Sequence, residues 1–460
     1  MKAVLWSRKT MTDTKKAFGV WSAVFLGIGS MVGAGIFIVI GQAGAIAGNL
    51  VWLSFIFGGI AALLSGYSLA RLAITYPSRG GIVEYVVQGF GEGVFSGSTG
   101  VLFYFSQLIV IAAVAKSFGT YAGTFMHADA MIQNLFALGV VGLFILINLI
   151  GASLVAKSEN IIVFIKVTIL VIFTGVALFY VNPKLLSTAD MPPLNSMLFA
   201  VGLTFFAYQG FSVITNTVED MQNPKQTMLK AMTIAILFVG VLYILTSIAV
   251  LGNLSLPEVI KTKDYALAQA AEPIFGPIGF KIMAATALLA TASAINATLY
   301  AATEIGYTLA KDGDLPEDYT YNVFHSFEGL VISGLLIIPM ILFLNLSQVT
   351  TIAALVVLII QGLTHVGHLL RIKETGANFY VVLGAALSMF AIAGLTLYYT
   401  SIKQMPMIAF YIFGAFVLAF AVEILLRLTT KRVIKIQTDV KLIEKFEKNV
   451  ENKFKKMIGE

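Results

Sequence analysis

The 460-residue sequence contains no cysteine. Disulfides, thiolate metal sites and cysteine nucleophiles are thereby excluded. It is also poor in charge, with only 12% Asp, Glu, Lys and Arg, about half the share of an ordinary soluble domain. At 58% hydrophobic residues and a mean hydropathy of +0.89, too little polar surface remains to keep a chain of this size dissolved. The sequence reads as an integral membrane protein. Long polar stretches are missing, which argues against an inserted catalytic domain, and the alternating short strands of an outer-membrane barrel are missing as well. Residues Met1 to Lys16 are polar and basic, so no cleavable signal is expected.

What the sequence does have is apolar runs of spanning length, about 20 residues each. They fall at 17–47, 49–76, 94–125, 133–156, 159–181, 195–218, 230–251, 278–310, 329–345, 349–370, 378–400 and 405–427. An all-α integral membrane fold with twelve transmembrane helices is expected, its helical domain covering 17–427. An N-terminal tail, 1–16, and a basic amphipathic tail, 428–460, flank it. The formal charge is +6, but residues 1–16 carry +4 and 427–460 carry +5, leaving −3 between them. By the positive-inside rule both termini are expected in the cytoplasm, at a cell membrane. The basic balance therefore reports orientation and not an acidic partner, and no nucleic-acid motif accompanies it. No phosphate-binding loop or Ser/His/Asp arrangement stands out, so neither enzyme activity nor a cofactor is expected.

Two spans are built to break. The first holds Gly27-Ile28-Gly29-Ser30-Met31-Val32-Gly33-Ala34-Gly35-Ile36-Phe37. Glycine weakens a helix and lets another backbone or a ligand come close. Because Gly29 and Gly33 also form a small-xxx-small pair, the glycines alone leave close helix packing and an unwound binding segment equally open. The sixth span carries Phe205-Phe206-Ala207-Tyr208-Gln209-Gly210-Phe211-Ser212. Interrupted helices at matching places in two halves point to the substrate site of an inverted-repeat transporter. Backbone N–H groups from Gly33 through Ala34, Gly35 and Ile36, at the positive end of a half-helix, suit a carboxylate. Carbonyls freed near Met31 and from Phe206 through Ala207, Tyr208, Gln209 and Gly210 suit an ammonium group. Together these poles fit an α-amino acid.

Four motifs then line up in order: Gly29 to Phe37; Tyr76-Pro77 to Gly80-Gly81 with Glu84-Tyr85; Glu219-Asp220 with Asn223-Pro224-Lys225; and Tyr307 to Lys311-Asp312-Gly313 with Leu315-Pro316. In this the sequence, from about 17 to 430, resembles the amino acid/polyamine/organocation (APC) transporters. The resemblance implies a LeuT-like fold in which spans one to five (about 17–181) recur inverted as six to ten (about 195–370), with two additional helices (378–427). It also implies that Phe206 forms an aromatic lid over the substrate and that Glu219 and Asp220 are inner-gate residues. Two departures bear on substrate. Ala34 stands where the family often has serine, and Ser212 where some exchangers of cationic amino acids have glutamate. No buried carboxylate accompanies the breaks, so broad-specificity neutral L-amino acids are expected.

Lys166 lies within the apolar run Ile161 to Val167. Taken by itself it is open to two readings, a side chain snorkelling to the interface or a buried amine that gains and loses a proton during transport. The resemblance favours the second, since proton-coupled archaeal members carry a lysine here in place of a sodium ion, which implies the Gly29 carbonyl and the Ser293 hydroxyl as partners. Glu304 is the other deep charge, expected to line the inner path or pair with Arg71. His365 and His368 share a helical face with Gln361 and read as polar packing, not as a metal site. The expected protein is a proton-coupled secondary transporter that imports amino acids by alternating access in a lipid bilayer, as a monomer or homodimer. A sodium-coupled symporter or an exchanger of the same fold is the alternative, and a potassium or other cation importer the alternative of another class.

Overall fold

The computed structural model describes residues 19–33, 35–78, 80–150, 153–186, 193, 195–221, 223–324, 326–403 and 405–429. The N-terminal tail, the basic tail from 430 onward and the donor expected at Ala34 lie outside the described residues. Among the described residues, ten helices are long and apolar enough to cross a membrane, and two shorter apolar helices join them, Val20–Met31 and Glu328–Phe343.

The first span is broken. Helix α1, Val20–Met31, stops at the glycine-rich run, and α2 restarts at Gly35–Ala47. A 3₁₀ turn leads into α3, Val51–Thr75, followed by the short α4, Ile82–Phe90, and by α5, Val94–Thr124. Helices α6, Ala130–Ile150, and α7, Ser153–Phe179, come next. The sixth span changes type where it was expected to unwind. Helix α8, Asn195–Tyr208, continues as a 3₁₀ segment over Gln209–Asp220, far longer than the three or four residues usual for that geometry.

Asn223 then turns the chain into α9, Pro224–Asn253, with the proline in the first turn, where its missing N–H costs nothing. A capping box at Ser255 and Glu258 opens the short α10, Leu256–Lys261. Helix α11, Ala266–Asp312, bends at Gly276, whose φ of 68° only glycine adopts freely, between Pro273 and Pro277. Its spanning part therefore starts close to the expected residue 278. A second capping box, Asn345 with Gln348, separates α12, Glu328–Phe343, from α13, Leu346–Leu370. Helices α14, Ile372–Thr375, α15, Phe379–Lys403, and α16, Ile408–Thr429, follow as the last described elements.

Helices α5 and α13 are enclosed along most of their length, whereas α6, α7 and α16 turn apolar faces outward. Leu146, Ile150, Phe164, Phe179, Phe410 and Phe413 are all exposed. So continuous an apolar exterior has no place in water. It is the lipid-facing surface of a multi-pass membrane protein.

Candidate functional site

The two interrupted helices touch each other backbone to backbone. A Cβ added at Gly210 would lie 2.4 Å from the Met31 nitrogen, and one at Gly35 would lie 2.5 Å from the Ala207 oxygen. Only glycine permits either approach. Tyr243 of α9 ties the junction, its hydroxyl donating to the Met31 carbonyl at 2.6 Å and lying 3.4 Å from that of Ala207. A carbonyl oxygen has two lone pairs, so Met31 keeps one for a ligand. Gly29 meets Val163 of α7 and Gly33 meets Ala294 of α11. Close packing and helix interruption thus coexist in the same glycine run.

A cavity of about 1620 Å³ opens against this junction. Among its lining residues are Gly29, Ser30, Met31, Gly33, Gly35, Phe206, Ala207, Gln209 and Gly210. Two expected contacts do not reach it. Ile36 is fully buried in the apolar core, and Tyr208 points away, donating its hydroxyl to the Phe55 carbonyl of α3 at 3.0 Å. The reason is helical geometry: successive side chains diverge by about 100°, so a contiguous run cannot face one cavity throughout. Amides also line the wall, among them Gln107 on α5, Asn148 on α6 and Asn296 on α11, the last two joined at 2.8 Å. Their signal in the sequence is an amide inside an otherwise apolar span.

Lys166 is 1% exposed and lines the same cavity as Gly29 and Ser293. It is enclosed by protein and does not reach toward the surface. The Ser293 hydroxyl donates to the Glu159 carboxylate, and that carboxylate acts electrostatically on the Lys166 amine. Glu159 stands seven positions before Lys166 on α7, two turns away on one face. The sequence places Glu159 at the end of a span; the helix begins earlier, at Ser153, and the Glu159 carboxylate lines the cavity.

Toward one end of the molecule the lining turns charged, with Glu84, Glu92, Glu304, Lys311, Asp314 and Arg427. Arg427 pairs with Glu423 and lies 3.9 Å from Asp314. Glu304 is at this mouth, while Arg71 does not line the cavity and stands 5.5 Å from the Tyr67 ring. Glu219 and Asp220 close the 3₁₀ segment beyond the lining residues Thr215 and Asn216. The volume exceeds the 300–1,000 Å³ usual for a ligand pocket, as the lining extends from the junction of the broken helices to the charged end.

The comparisons agree with this architecture. The sequence matches the amino acid permease family over residues 18–437. An uncharacterized protein of Methanocaldococcus jannaschii is 34% identical across 91% of this chain and 97% of its own length. The inner membrane transport protein YbaT of Escherichia coli is 37% identical across 75% of this chain and 81% of its own. The serine/threonine exchanger SteT of Bacillus subtilis is 25% identical across 66% and 70%. With broken helices meeting at a cavity and a match over nearly all its length, the chain belongs to the amino acid permease family of the APC superfamily.

Proposed function

We propose that the protein is a proton-coupled secondary transporter that imports neutral L-amino acids with broad specificity. It works by alternating access in a cell membrane, on a twelve-helix LeuT-like scaffold of two inverted repeats plus two helices. The observation that carries this reading is the position of Lys166, an amine enclosed beside the broken first helix and facing the chamber through Glu159 and Ser293. The substrate carboxylate binds N–H groups of Gly33 and Gly35 at the break, and its ammonium group binds the remaining carbonyl lone pairs of Met31, Phe206, Ala207 and Gln209. Phe206 covers the site. As the chamber opens to each side in turn, the Lys166 amine takes up and releases one proton, which replaces a coupling ion. Both termini lie in the cytoplasm, so the charged mouth opens inward, with Glu304 on the exit path and Glu219 and Asp220 at the inner gate.

The test is uptake of a panel of radiolabelled amino acids into proteoliposomes, with pH and sodium gradients imposed separately. Neutral amino acids should accumulate under the pH gradient alone. Lys166→Ala should insert normally, lose gradient-driven accumulation and retain substrate binding. Sodium-dependent uptake by the parent protein, or full accumulation by the mutant, would overturn proton coupling.

A further inference from the structure

A buried chain of hydrogen-bonding side chains runs from α14 to the cavity. Thr375 Oγ1 lies 2.8 Å from His368 Nε2, whose Nδ1 lies 2.7 Å from Ser68 Oγ. Ser68 Oγ is 2.8 Å from His365 Nδ1, and His365 Nε2 is 2.9 Å from Ser65 Oγ. Ser65 Oγ is 2.9 Å from Gln361 Oε1, and Gln361 Nε2 is 2.9 Å from Gln209 Oε1. Ser65 and Ser68 are a turn apart on α3, and Gln361, His365 and His368 recur at four and three positions along one face of α13. Every member from Ser65 to Thr375 is buried, and Gln209 alone lines the cavity.

The chemistry of this chain is tightly restricted. Ser68 carries one hydroxyl proton and stands between two imidazole Nδ1 atoms. It donates to one, and the other must donate to it. When neutral, His365 and His368 therefore carry opposite tautomers. Two complete arrangements follow. In the inward one, Thr375 donates to His368, His368 to Ser68, Ser68 to His365, His365 to Ser65, Ser65 to Gln361, and Gln361 to Gln209. In the outward one every link reverses, both amides turn over, and Thr375 donates to the Ile372 carbonyl 3.2 Å away. A partial reversal leaves two donors or two acceptors facing each other in a buried site, which is costly. The chain is thus a two-state element.

Its two states differ where they meet the cavity. With inward donation, Gln209 Nε2 is buried without an acceptor among the described residues. With outward donation the amide oxygen takes that place and lacks a donor. We propose that Gln209 is a specificity-determining residue that donates to an oxygen of the transported amino acid, and that the Thr375-His368-Ser68-His365-Ser65-Gln361 chain is its positioning network. A substrate oxygen at Gln209 selects inward donation, so substrate binding and the two histidine tautomers are coupled. The role given to Gln209 rests on the amino-acid reading above; the opposite tautomers do not.

The test uses the full-length protein labelled with [15N]histidine in lipid bilayers, signals being assigned by the loss of each in His365→Gln and His368→Gln. Without ligand, one residue should be Nδ1–H and the other Nε2–H; matching tautomers, or a doubly protonated ring at neutral pH, would overturn the proposal. Saturating L-serine should increase the Nε2–H form of His365. If L-alanine does the same, the oxygen is the carboxylate, and if it does not, the oxygen is the serine hydroxyl. Failure of both amino acids to bind, read by thermal shift, would sink the proposed function and the role of Gln209 together. Binding with unchanged tautomers would sink this proposal alone. Ser68→Ala, a change outside the cavity, should raise KM about tenfold with Vmax retained, and Ser68→Thr should restore KM. An unchanged KM in Ser68→Ala would also count against it.

Discussion

Tyr243 illustrates how much of this site hangs on single groups. Where a helix stops inside a membrane, its last carbonyls have no water to bind and must find donors within the protein. At the junction of the two broken spans the Tyr243 hydroxyl is that donor, to Met31 and toward Ala207. Its ring is held by Phe55 at 5.7 Å and Tyr208 at 5.4 Å, so Tyr243→Phe should keep the packing and remove the bonds of the hydroxyl, to the Met31 carbonyl and from the Ile36 N–H. About 1–3 kcal/mol of stability should go with it, seen as a lower melting temperature in detergent, together with a several-fold rise in KM if the Met31 and Ala207 carbonyls hold the ammonium group as proposed. An unchanged KM and melting temperature would show that the junction holds without it. Nothing in the sequence marks Tyr243, because its partners are backbone atoms and backbone leaves no side-chain pattern. Lys166 was legible for the opposite reason, as a charge inside an apolar run. The Gly27 to Gly35 cluster was legible as well, while Ile36 and Tyr208 were misplaced because a motif read as one contiguous run passes through both faces of its helix.

The loop joining α10 to α11 shows how a polar connection is held against a span. It lies on α2 so closely that a Cβ at Gly41 would sit 2.0 Å from the Lys263 oxygen, and Val259 approaches Gly44. Gln42 of α2 donates to Asp264 at 3.4 Å. Burial raises the Asp264 carboxyl above the usual carboxylate range, and the neighbouring Lys263 charge and the Gln42 bond offset this only in part. The neutral acid is therefore the form that favours the packed loop. That contribution is complete below the ordinary value of about 4, and it is lost as pH rises through the raised value of the packed state. Hydrogen-exchange protection of 256–265, corrected for intrinsic rates, should fall as pH rises through this window. In Asp264→Asn, which is neutral throughout, protection should not vary with pH; persistence of the same pH dependence in that variant would assign it to another group. On the helices themselves, the break after Met31 followed from glycine content, and an interruption at Gln209-Gly210 was legible too, but not the 3₁₀ form that runs on to Asp220.

Taken together, the chamber has one open end and one closed end. The lining runs from the Gly35 and Gly210 junction to Thr308, Lys311, Asp314 and Arg427, and it excludes Gln42 and Asp264 at the opposite end. There, Tyr121 of α5 donates to the Phe37 carbonyl of α2 at 2.9 Å, and the loop after α10 covers Gln42. Alternating access requires the converse arrangement to exist, reached by rocking one set of helices against the other around a fixed site. The absence of cysteine makes this testable without removing any native residue. Thr308→Cys places a thiol at the exposed mouth, and Gln42→Cys places one beneath the closed end. In the state described, a membrane-impermeant maleimide should label Thr308→Cys rapidly from the inner side and Gln42→Cys slowly from the outer side. An inward proton gradient with substrate should change the two rates in opposite directions, because a single movement closes one end as it opens the other. If both rates rose together the protein would be a channel. If neither changed while uptake continued, transport would not proceed by exchanging access between these two ends.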